Sequence, residues 1–378
     1  MPDERTTALV REIHDSPTQV VLAITGGGSR AIAELLEVPG GSRTLLEATV
    51  PYSAAALDAW LGSRPAHYCS QRTARMMAMA ALVRAQRLAV EPDRPLAGIG
   101  CTASLISEPS KRGPHRAHVA IHTGSATAAW SVELQKNQRS RPEEEAVVAA
   151  LVLNATADAC GIEGRLVPPL LAGERQENER VNATRSWQDL LAGRTDAVVY
   201  GQSDDLPLSA RELVFPGAFD PLHAGHLEMA ALAGRLKGAS VSFELSVLNV
   251  DKPPLDFIEI AKRGEQFRSQ HELLLTRAAT FERKAQLFPG ATFVVGIDTV
   301  VRIADARYYG HDAAAMGRAI RSIAERGCRF LVFGRKTADG FLTLADVDLP
   351  QELRGICDVV PETDFRIDIS STELRENR

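Results

Sequence analysis

Residues 213–227 read LVFPGAFDPLHAGHL, which is an apolar run, a turn rich in Pro and Gly, and two histidines three positions apart. The run from Leu213 to Phe215 predicts a short buried strand, and the apolar spacing of the following HLEMAALAGRLKG predicts a helix that begins near His226. Residues three apart at a helix start share one face, so His223 and His226 can both point into one cleft beside the free first-turn amides. This arrangement favours an anion such as phosphate. A metal site is the alternative reading, although the motif offers no third ligand.

The chain around this stretch alternates between strand and helix patterns. Downstream, the patterns predict a strand at VSFELSVLNV, an exposed segment DKPPLDF, a long helix from Arg263 to Phe288, strands at TFVVGID and FLVFGR with a helix through Arg321 between them, and a helix opening at ISSTEL. This alternation predicts a doubly wound, Rossmann-like α/β sheet of parallel strands, in which ligands bind beyond the carboxyl ends of the strands.

The N-terminal half has a second α/β pattern. VVLAIT (20–25), LAGIGCTASL and HRAHVAIHTG predict strands, while the stretches from Cys69 to Ala89 and from Glu143 to Gly161 predict helices. Between them and the second half, Pro, Gly and charged residues interrupt short apolar pieces. The sequence therefore predicts an α/β layered domain at 1–165, a linker at 166–209 with a helix around Trp187 to Leu191, and a second domain at 210–378.

Composition limits the classes of function. The chain has 378 residues, 45% of them hydrophobic and 24% charged, which is typical of a soluble globular protein of two domains. A net charge of -5 argues against bulk nucleic-acid binding. The five cysteines are far apart and form no CxxC pair, so we expect neither disulfides nor a zinc site. With no apolar signal segment and no run of about 18 apolar residues, we expect a cytoplasmic protein without a membrane partner.

Two motifs of the C-terminal half resemble one superfamily. PGAFDPLHAGH (216–226) resembles the HxGH signature of nucleotidylyltransferases, and ISSTELR (369–375) resembles their ISSTxIR signature, with Leu374 in place of Ile. DKPP (251–254), GIDT (296–299) and the RYYG after it resemble segments of the nicotinamide-mononucleotide adenylyltransferases. Both signatures occur in the family's order on a β and α pattern.

The resemblance implies transfer of a nucleoside monophosphate from a nucleoside triphosphate, ATP rather than CTP, to a phosphorylated acceptor such as nicotinamide or nicotinate mononucleotide. Pyrophosphate leaves, and Mg²⁺ accompanies the triphosphate without a metal site of the protein's own. The implied catalytic residues are His223, His226 and Arg375. The implied nucleotide contacts are Pro216, Gly217, Ala218, Phe219, Gly225, Ser370, Ser371 and Thr372. Lys252 and Asp298 are candidate acceptor contacts. Asp298 can alternatively cap the next helix. Transfer of a cytidylyl group to another phosphate stays open.

The N-terminal half resembles a different family. The order of a strand, TGG, PGGS, a Tyr-Ser pair and a long Ala-rich helix is similar to the C-terminal domain of competence-damage-inducible proteins, the nicotinamide-mononucleotide deamidases. Ser42 and Tyr52 keep the spacing of that family's catalytic serine and tyrosine, but Leu57 stands where the family has lysine. A serine hydroxyl needs a neighbouring base to become a nucleophile. The resemblance therefore implies a degenerate site without the deamidase reaction.

Several roles stay open for this half. It can bind a nicotinamide nucleotide, with Arg139 or Arg141 as phosphate contacts, or serve in homodimerisation, and Ser42 and Tyr52 can equally be a turn serine and a half-buried tyrosine. For the whole chain, the alternatives to a nucleotidylyltransferase are a bifunctional nicotinamide-nucleotide amidohydrolase and nucleotidylyltransferase, and a nucleotide-binding sensor or scaffold without turnover.

Overall fold

A computed structural model describes residues 3–91, 93–109, 111–201, 211–267, 271–337 and 340–365. The chain divides into two compact units. The first consists of Met1–Gln188 and Asp251–Glu259, and the second of Asp189–Val250 and Ile260–Arg378. The stretch 166–209, predicted as a linker, is divided between the two units and contains helix and strand among its described residues.

The first unit is built on a mixed six-stranded sheet. Its elements are α1 (Glu4–Asp15), β1 (Gln19–Thr25), α2 (Arg30–Glu37), α3 (Gly41–Thr44), β2 (Leu45–Thr49), α4 (Ala54–Leu61), α5 (Gln71–Leu88), β3 (Leu96–Ser104), β4 (His115–Thr123), β5 (Ala126–Leu134), α6 (Arg141–Ala159), β6 (Gln176–Asn182) and the first half of α7 (Arg185–Leu191). The strand order is β2-β1-β3-β4-β5-β6. β1 runs parallel to β2 and β3, and the remaining neighbours are antiparallel.

Helix α5 lies unusually close to β3. A Cβ atom added at Gly98 would lie 2.0 Å from the Ala78 carbonyl oxygen, and one at Gly100 would lie 2.2 Å from that of Ala74. Glycine on the helix-facing side of the strand therefore lets two backbones approach. The other face of the sheet carries the main core of the unit, to which α6 contributes Val147, Val148 and neighbouring apolar residues.

The second unit is built on a seven-stranded sheet. Its elements are β7 (Ala197–Val199), β8 (Leu213–Pro216), α8 (Ala224–Lys237), β9 (Val241–Ser246), α9 (Phe257–Gly264), β10 (Leu273–Thr276), α10 (Phe281–Leu287), β11 (Thr292–Gly296), α11 (Ile297–Ile303), α12 (Ala313–Glu325), β12 (Arg329–Phe333), β13 (Arg335–Thr337), β14 (Gly340–Leu342), α13 (Gln351–Arg354) and β15 (Cys357–Val360). The first three residues of α9 belong to the first unit. The strand order is β15-β12-β11-β8-β9-β10-β7, parallel except for the antiparallel pair β10 and β7. The predicted α/β class with a doubly wound, Rossmann-like C-terminal sheet is confirmed.

The predicted long helix from Arg263 to Phe288 is wrong. Leu273–Thr276 within it forms β10, whose four residues are all buried, and a separate α10 follows. Leucine has a high intrinsic helix propensity, which tertiary packing can override. Here both faces of the strand are covered, so packing within the parallel sheet overrides the local preference.

The segment DKPPLDF is exposed only at its start. Asp256 and Phe257 are buried within the first unit, where the Phe257 ring lies 4.8 Å from the ring of His122. The Phe257 amide donates to Thr127 Oγ1 at 3.0 Å. The predicted exposed segment is therefore wrong at this end, because an aromatic ring and a buried ion cluster fix it.

The ion cluster joins the segment to α5. Arg75 contacts Asp256 at 2.7 Å and Glu259 at 3.1 Å, and all three side chains are 6% exposed or less. A charged group so far from water persists only when it is paired and hydrogen-bonded. Residues 251–259 are consequently an integral part of the first unit.

Candidate functional site

The strand order of the second unit reverses at β8. β9 and β10 lie on one side of it, while β11, β12 and β15 lie on the other. In open α/β sheets the crevice outside the carboxyl ends at such a switch point is the usual ligand site. The loop that contains the histidine pair follows β8, and Asp298 follows the adjacent β11.

The loop after β8 is held by both its backbone and its ring packing. Gly217 donates its amide to the Glu244 carbonyl oxygen at 2.9 Å. A Cβ atom at Gly217 would lie 2.5 Å from the ring of Phe219, which is buried and adopts a positive φ of 47°. Phe219 packs edge-on against Phe215 and Phe243. Its side chain is therefore part of the core, and only its backbone is left to contact a nucleotide.

Two residues of the α9 region hold the same loop. Arg263, buried, donates to the Ala218 carbonyl at 3.1 Å and lies 3.6 Å from the Asp220 carboxylate. Gln266 donates to the Phe219 carbonyl at 2.9 Å and accepts the Leu222 amide at 2.8 Å. Gln266 could not be predicted from the sequence, because only the fold brings it to a loop more than forty positions earlier.

The two histidines lie side by side at the start of α8. His223 stands at the N-cap of α8 and His226 in its first turn, and their rings stack with centroids 3.7 Å apart. The His223 amide donates to Nδ1 of His226 at 3.3 Å. A neutral imidazole that accepts at Nδ1 carries its proton on Nε2. His226 is thereby fixed in the tautomer that can donate from Nε2 to a ligand.

Burial keeps both rings uncharged at neutral pH. It lowers the pKa of His226 to about 4, with a smaller contribution from the charge of His223. Burial also lowers the pKa of His223. The rings of Phe215 and Phe219 flank His226 edge-on at 5.9 and 5.3 Å. The pair is therefore equipped to donate hydrogen bonds to an anion, whereas positive charge must come from elsewhere.

The other predicted nucleotide contacts of this loop lie between the end of β8 and the first turn of α8. Pro216 ends β8, Ala218 is exposed, and Gly225 is buried in the first turn of α8. Ser370, Ser371, Thr372 and Arg375 lie outside the described residues.

The two predicted acceptor contacts lie in different units. Asp298 is half-buried in the first turn of α11, where it accepts a 2.6 Å hydrogen bond from Arg335. Arg335 was missed, although an arginine directly after the strand FLVFG is a signal the sequence offers. Lys252 is exposed and belongs to the segment of the first unit.

A cavity of about 680 Å³ in the second unit lies elsewhere. Its lining includes Glu212, Val241 and Ser242, at the amino ends of β8 and β9. Neither His223 nor His226 lines it. In sheets of this kind ligands usually bind at the carboxyl edge, where the two histidines lie. Within the described residues, no group of three or more His, Cys, Asp or Glu side chains is placed to hold a metal ion.

The first unit contains a smaller cavity of about 340 Å³. It is lined by Thr25, Gly26, Tyr52, Ser53, Ala54, Leu57, Tyr68, Cys69, Thr102, Ala103 and Ser104. Tyr52, 71% exposed, and the buried Leu57 thus share one site, whereas Ser42 is exposed in α3 and is not part of this lining.

The two arginines proposed as phosphate contacts have partners within the protein. Arg139 contacts Glu174 at 2.6 Å with both side chains buried. Arg141 donates to the carbonyl oxygens of Ile106 and Gly26 at 3.0 and 2.9 Å. Both therefore hold backbone or side chains of the first unit in place.

Comparison with known proteins found a family match within the second unit. Residues 214–377 match the family model described as cytidylyltransferase-like. This match supports a nucleotidylyltransferase type of activity for the C-terminal half. Among solved structures, the chain is similar to the competence/damage inducible protein CihA from Agrobacterium tumefaciens, at 19% identity and a TM-score of 0.31, over 43% of this chain and 97% of that one. Among curated proteins, none matches. Within the described residues, no helix is long and apolar enough to cross a membrane.

Proposed function

We propose that the second unit transfers a nucleoside monophosphate from ATP to a phosphorylated acceptor, nicotinamide or nicotinate mononucleotide, and releases pyrophosphate. The observation that carries this proposal is the stacked pair His223 and His226 at the switch point of a sheet within the cytidylyltransferase-like match. Neutral imidazoles at a helix start suit the oxygens of a polyphosphate.

The proposed reaction needs no covalent intermediate with the protein. A phosphate oxygen of the acceptor forms a bond to the α-phosphorus of the nucleotide as the bond to the leaving pyrophosphate breaks. The protein must hold two anions that repel each other and stabilise the charge that develops. His226 donates from Nε2 to a phosphate oxygen, the first amides of α8 face the same anion, and Arg375 is proposed to add a positive charge.

Mg²⁺ is proposed to enter with the triphosphate, where it supplies neutralisation of phosphate charge. The groups at the start of α8 are imidazoles, whereas Mg²⁺ prefers oxygen ligands and keeps several waters. The residues of the loop therefore bind the phosphates, and phosphate oxygens and water suit the metal.

Asp298 is the proposed acceptor contact of the second unit, and Lys252, in the first unit, stays an expectation from the resemblance. Asp298 follows β11, the neighbour of β8, so it lies at the same edge of the sheet as the histidines. Its pairing with Arg335 offers a carboxylate and a guanidinium together, a combination that suits an acceptor with both amide and phosphate groups.

The test is pyrophosphate release by the full chain from each nucleoside triphosphate with each mononucleotide. We expect turnover with ATP only when the acceptor is present, and a loss of about 100-fold or more in kcat for His226→Ala, as for removal of one transition-state donor. His271→Ala, an exposed histidine of the same unit, is the matched control and should keep full activity. Turnover with CTP in place of ATP would change the nucleotide assigned. Calorimetric ATP binding without pyrophosphate under any acceptor would instead favour a sensor or scaffold.

The deamidase reaction is not proposed for Ser42 and Tyr52. Leu57 is 3% exposed and lines the cavity beside Tyr52, so the position of the family's lysine offers only an apolar side chain. We expect no ammonia release from nicotinamide mononucleotide by the full chain. Release of ammonia that Ser42→Ala abolishes would restore the bifunctional alternative.

A further inference from the structure

The cavity of the first unit contains a serine in contact with an amine. Ser104, the last residue of β3, lines the cavity, and Lys111 Nζ lies 2.7 Å from its hydroxyl oxygen. We propose that Ser104 and Lys111 act as nucleophile and general base on a small carboxylic ester or amide bound in this cavity. This activity is separate from nucleotidyl transfer and uses neither Ser42 nor Tyr52 as a reacting group.

The geometry fits a nucleophile and its base. A base must lie within hydrogen-bond distance of the hydroxyl whose proton it takes, about 2.6 to 3.2 Å. The loop that presents Lys111 is held by Lys136, whose Nζ donates to the Lys111 carbonyl oxygen at 2.8 Å and to that of Arg112 at 3.3 Å. The volume of about 340 Å³ is at the small end of ligand sites, so the substrate is a small molecule.

The surroundings favour the neutral amine. Burial lowers the pKa of Lys111, and the charges of Arg141 and Lys136 lower it further, while Cys69 and Glu144 oppose the shift. Only an uncharged amine can accept a proton from the serine hydroxyl. A larger fraction of Lys111 is therefore competent as a base at a given pH than for a lysine in water.

The other nucleophilic groups of the cavity are less suited. The Thr102 hydroxyl donates to the Tyr68 carbonyl oxygen at 2.9 Å, and the Tyr68 hydroxyl donates to Asp58 at 3.1 Å. Burial raises the pKa of the Cys69 thiol, which keeps it protonated and unreactive at neutral pH. Among the described side chains of the lining, Ser104 is the hydroxyl that lies against an amine.

The proposed step balances in protons and bonds. Ser104 Oγ forms a bond to the acyl carbon as its proton passes to Lys111 Nζ. The bond from that carbon to the leaving alcohol or amine breaks, and the leaving group takes the proton from Lys111. Water then attacks the acyl-serine, gives its proton to Lys111, and the acid leaves as Ser104 Oγ regains a proton from the same amine.

Covalent labelling of the full chain tests this proposal. A fluorophosphonate probe should label the protein in the absence of any nucleotide, and peptide mass spectrometry should find the adduct on Ser104. Ser104→Ala should abolish the label, and Ser322→Ala, a serine of α12, should leave it unchanged. Lys111→Arg keeps the charge and the hydrogen bond but cannot act as a base, so we expect its labelling rate to fall about 100-fold or more, within the range of general-base effects.

The pH profile adds a second measurement. The labelling rate should rise with pH as Lys111 loses its proton, at a midpoint below the ordinary lysine value of about 10.4, and this rise should be absent in Lys111→Arg. An unlabelled Ser104 overturns the proposal, as does a label whose rate and pH profile are the same in Lys111→Arg as in the unchanged chain.

Discussion

The imidazole of His226 is oriented by a backbone amide and enclosed by two phenylalanine rings. Its Nδ1 accepts from the His223 amide, so the ring cannot turn without losing that bond. The sequence predicts the pair and its common face, since both follow from a spacing of three at a helix start. The tautomer depends on the hydrogen bond from the His223 amide, and the neutral state depends on burial beside Phe215 and Phe219. The spacing alone reveals neither.

The charge of His226 makes a prediction about pH. Because burial lowers the pKa of His226 to about 4, the ring stays neutral throughout the range in which ordinary histidine titrates, near 6.5. We expect kcat/KM for pyrophosphate release to show no inflection near pH 6.5 caused by this residue. The check is the pH profile of the unchanged chain beside that of His226→Asn. An inflection near 6.5 that disappears only in the variant would contradict a neutral donor.

Gly217 lies in a part of the loop that has no room for a side chain. In Gly217→Ala the new methyl group would lie 2.5 Å from the Phe219 ring, closer than carbon atoms can approach, so the ring or the loop must move. We expect a rise in the KM for ATP and a loss of stability of roughly 1 to 3 kcal/mol. Gly317→Ala, in the middle of α12, meets only the end of Arg321 at 3.6 Å and should stabilise by up to about 1 kcal/mol. Equal urea midpoints for the two variants would contradict this account.

At the scale of elements, helices and strands are predicted correctly where the hydrophobic periodicity is unambiguous. The predicted strand at 20–25 is β1, the predicted helix from Cys69 to Ala89 is α5, and that from Glu143 to Gly161 is α6, each within two residues. The exposed, polar β6 was missed, because pairing with β5 and not an apolar pattern makes it a strand. β10 was missed for the opposite reason, since its leucines are equally good helix formers.

Contact between β3 and α5 gives an element-scale prediction. In Gly98→Ala the methyl group would lie 2.0 Å from the Ala78 carbonyl oxygen and 2.3 Å from the Leu82 nitrogen, both backbone atoms that cannot turn away. The helix must therefore lift from the sheet, and we expect a loss of several kcal/mol or failure to fold. Gly124→Ala, in the turn between β4 and β5, meets nothing within 4 Å and should leave the thermal midpoint close to that of the unchanged chain. A Gly98→Ala chain as stable as this control would show that the layers can separate freely.

At the scale of the whole molecule, acid should destabilise the chain through three histidines whose pKa is lowered by full or partial burial. Burial lowers the pKa of His118 and His226 to about 4 and that of His122 to about 3. Between these values and about 6.5, the unfolded chain binds protons at these rings that the folded chain does not. The free energy of unfolding should therefore be constant above about pH 6.5 in this respect and fall as pH drops towards 4. His122→Gln should show a smaller fall than the exposed control His67→Gln in urea titrations at each pH; identical slopes would rule out this contribution.

The buried cluster of Arg75, Asp256 and Glu259 holds residues 251–259 against α5 of the first unit. The sequence could not predict it, because its partners are more than 180 positions apart and the segment reads as an exposed turn. Arg75→Met removes the nearest cation from both buried carboxylates and leaves Glu259 only the more distant Arg72, at 3.7 Å. We expect this change to cost about 3 to 5 kcal/mol. Hydrogen exchange at the amide of Phe257, now bonded to Thr127, should rise with it.

Arg72→Met is the matched control for this prediction. Arg72 lies on the same helix and contacts Glu259 at 3.7 Å, but its side chain is 45% exposed, so water replaces the partner and we expect a loss of no more than about 1 kcal/mol. Replacing the partners as well, in Arg75→Met with Asp256→Asn and Glu259→Gln, removes the uncompensated charge and should recover part of the stability lost by Arg75→Met alone. If Arg75→Met and Arg72→Met unfold at the same urea concentration, the cluster does not hold the segment, and its apolar contacts through Phe257 must do so instead.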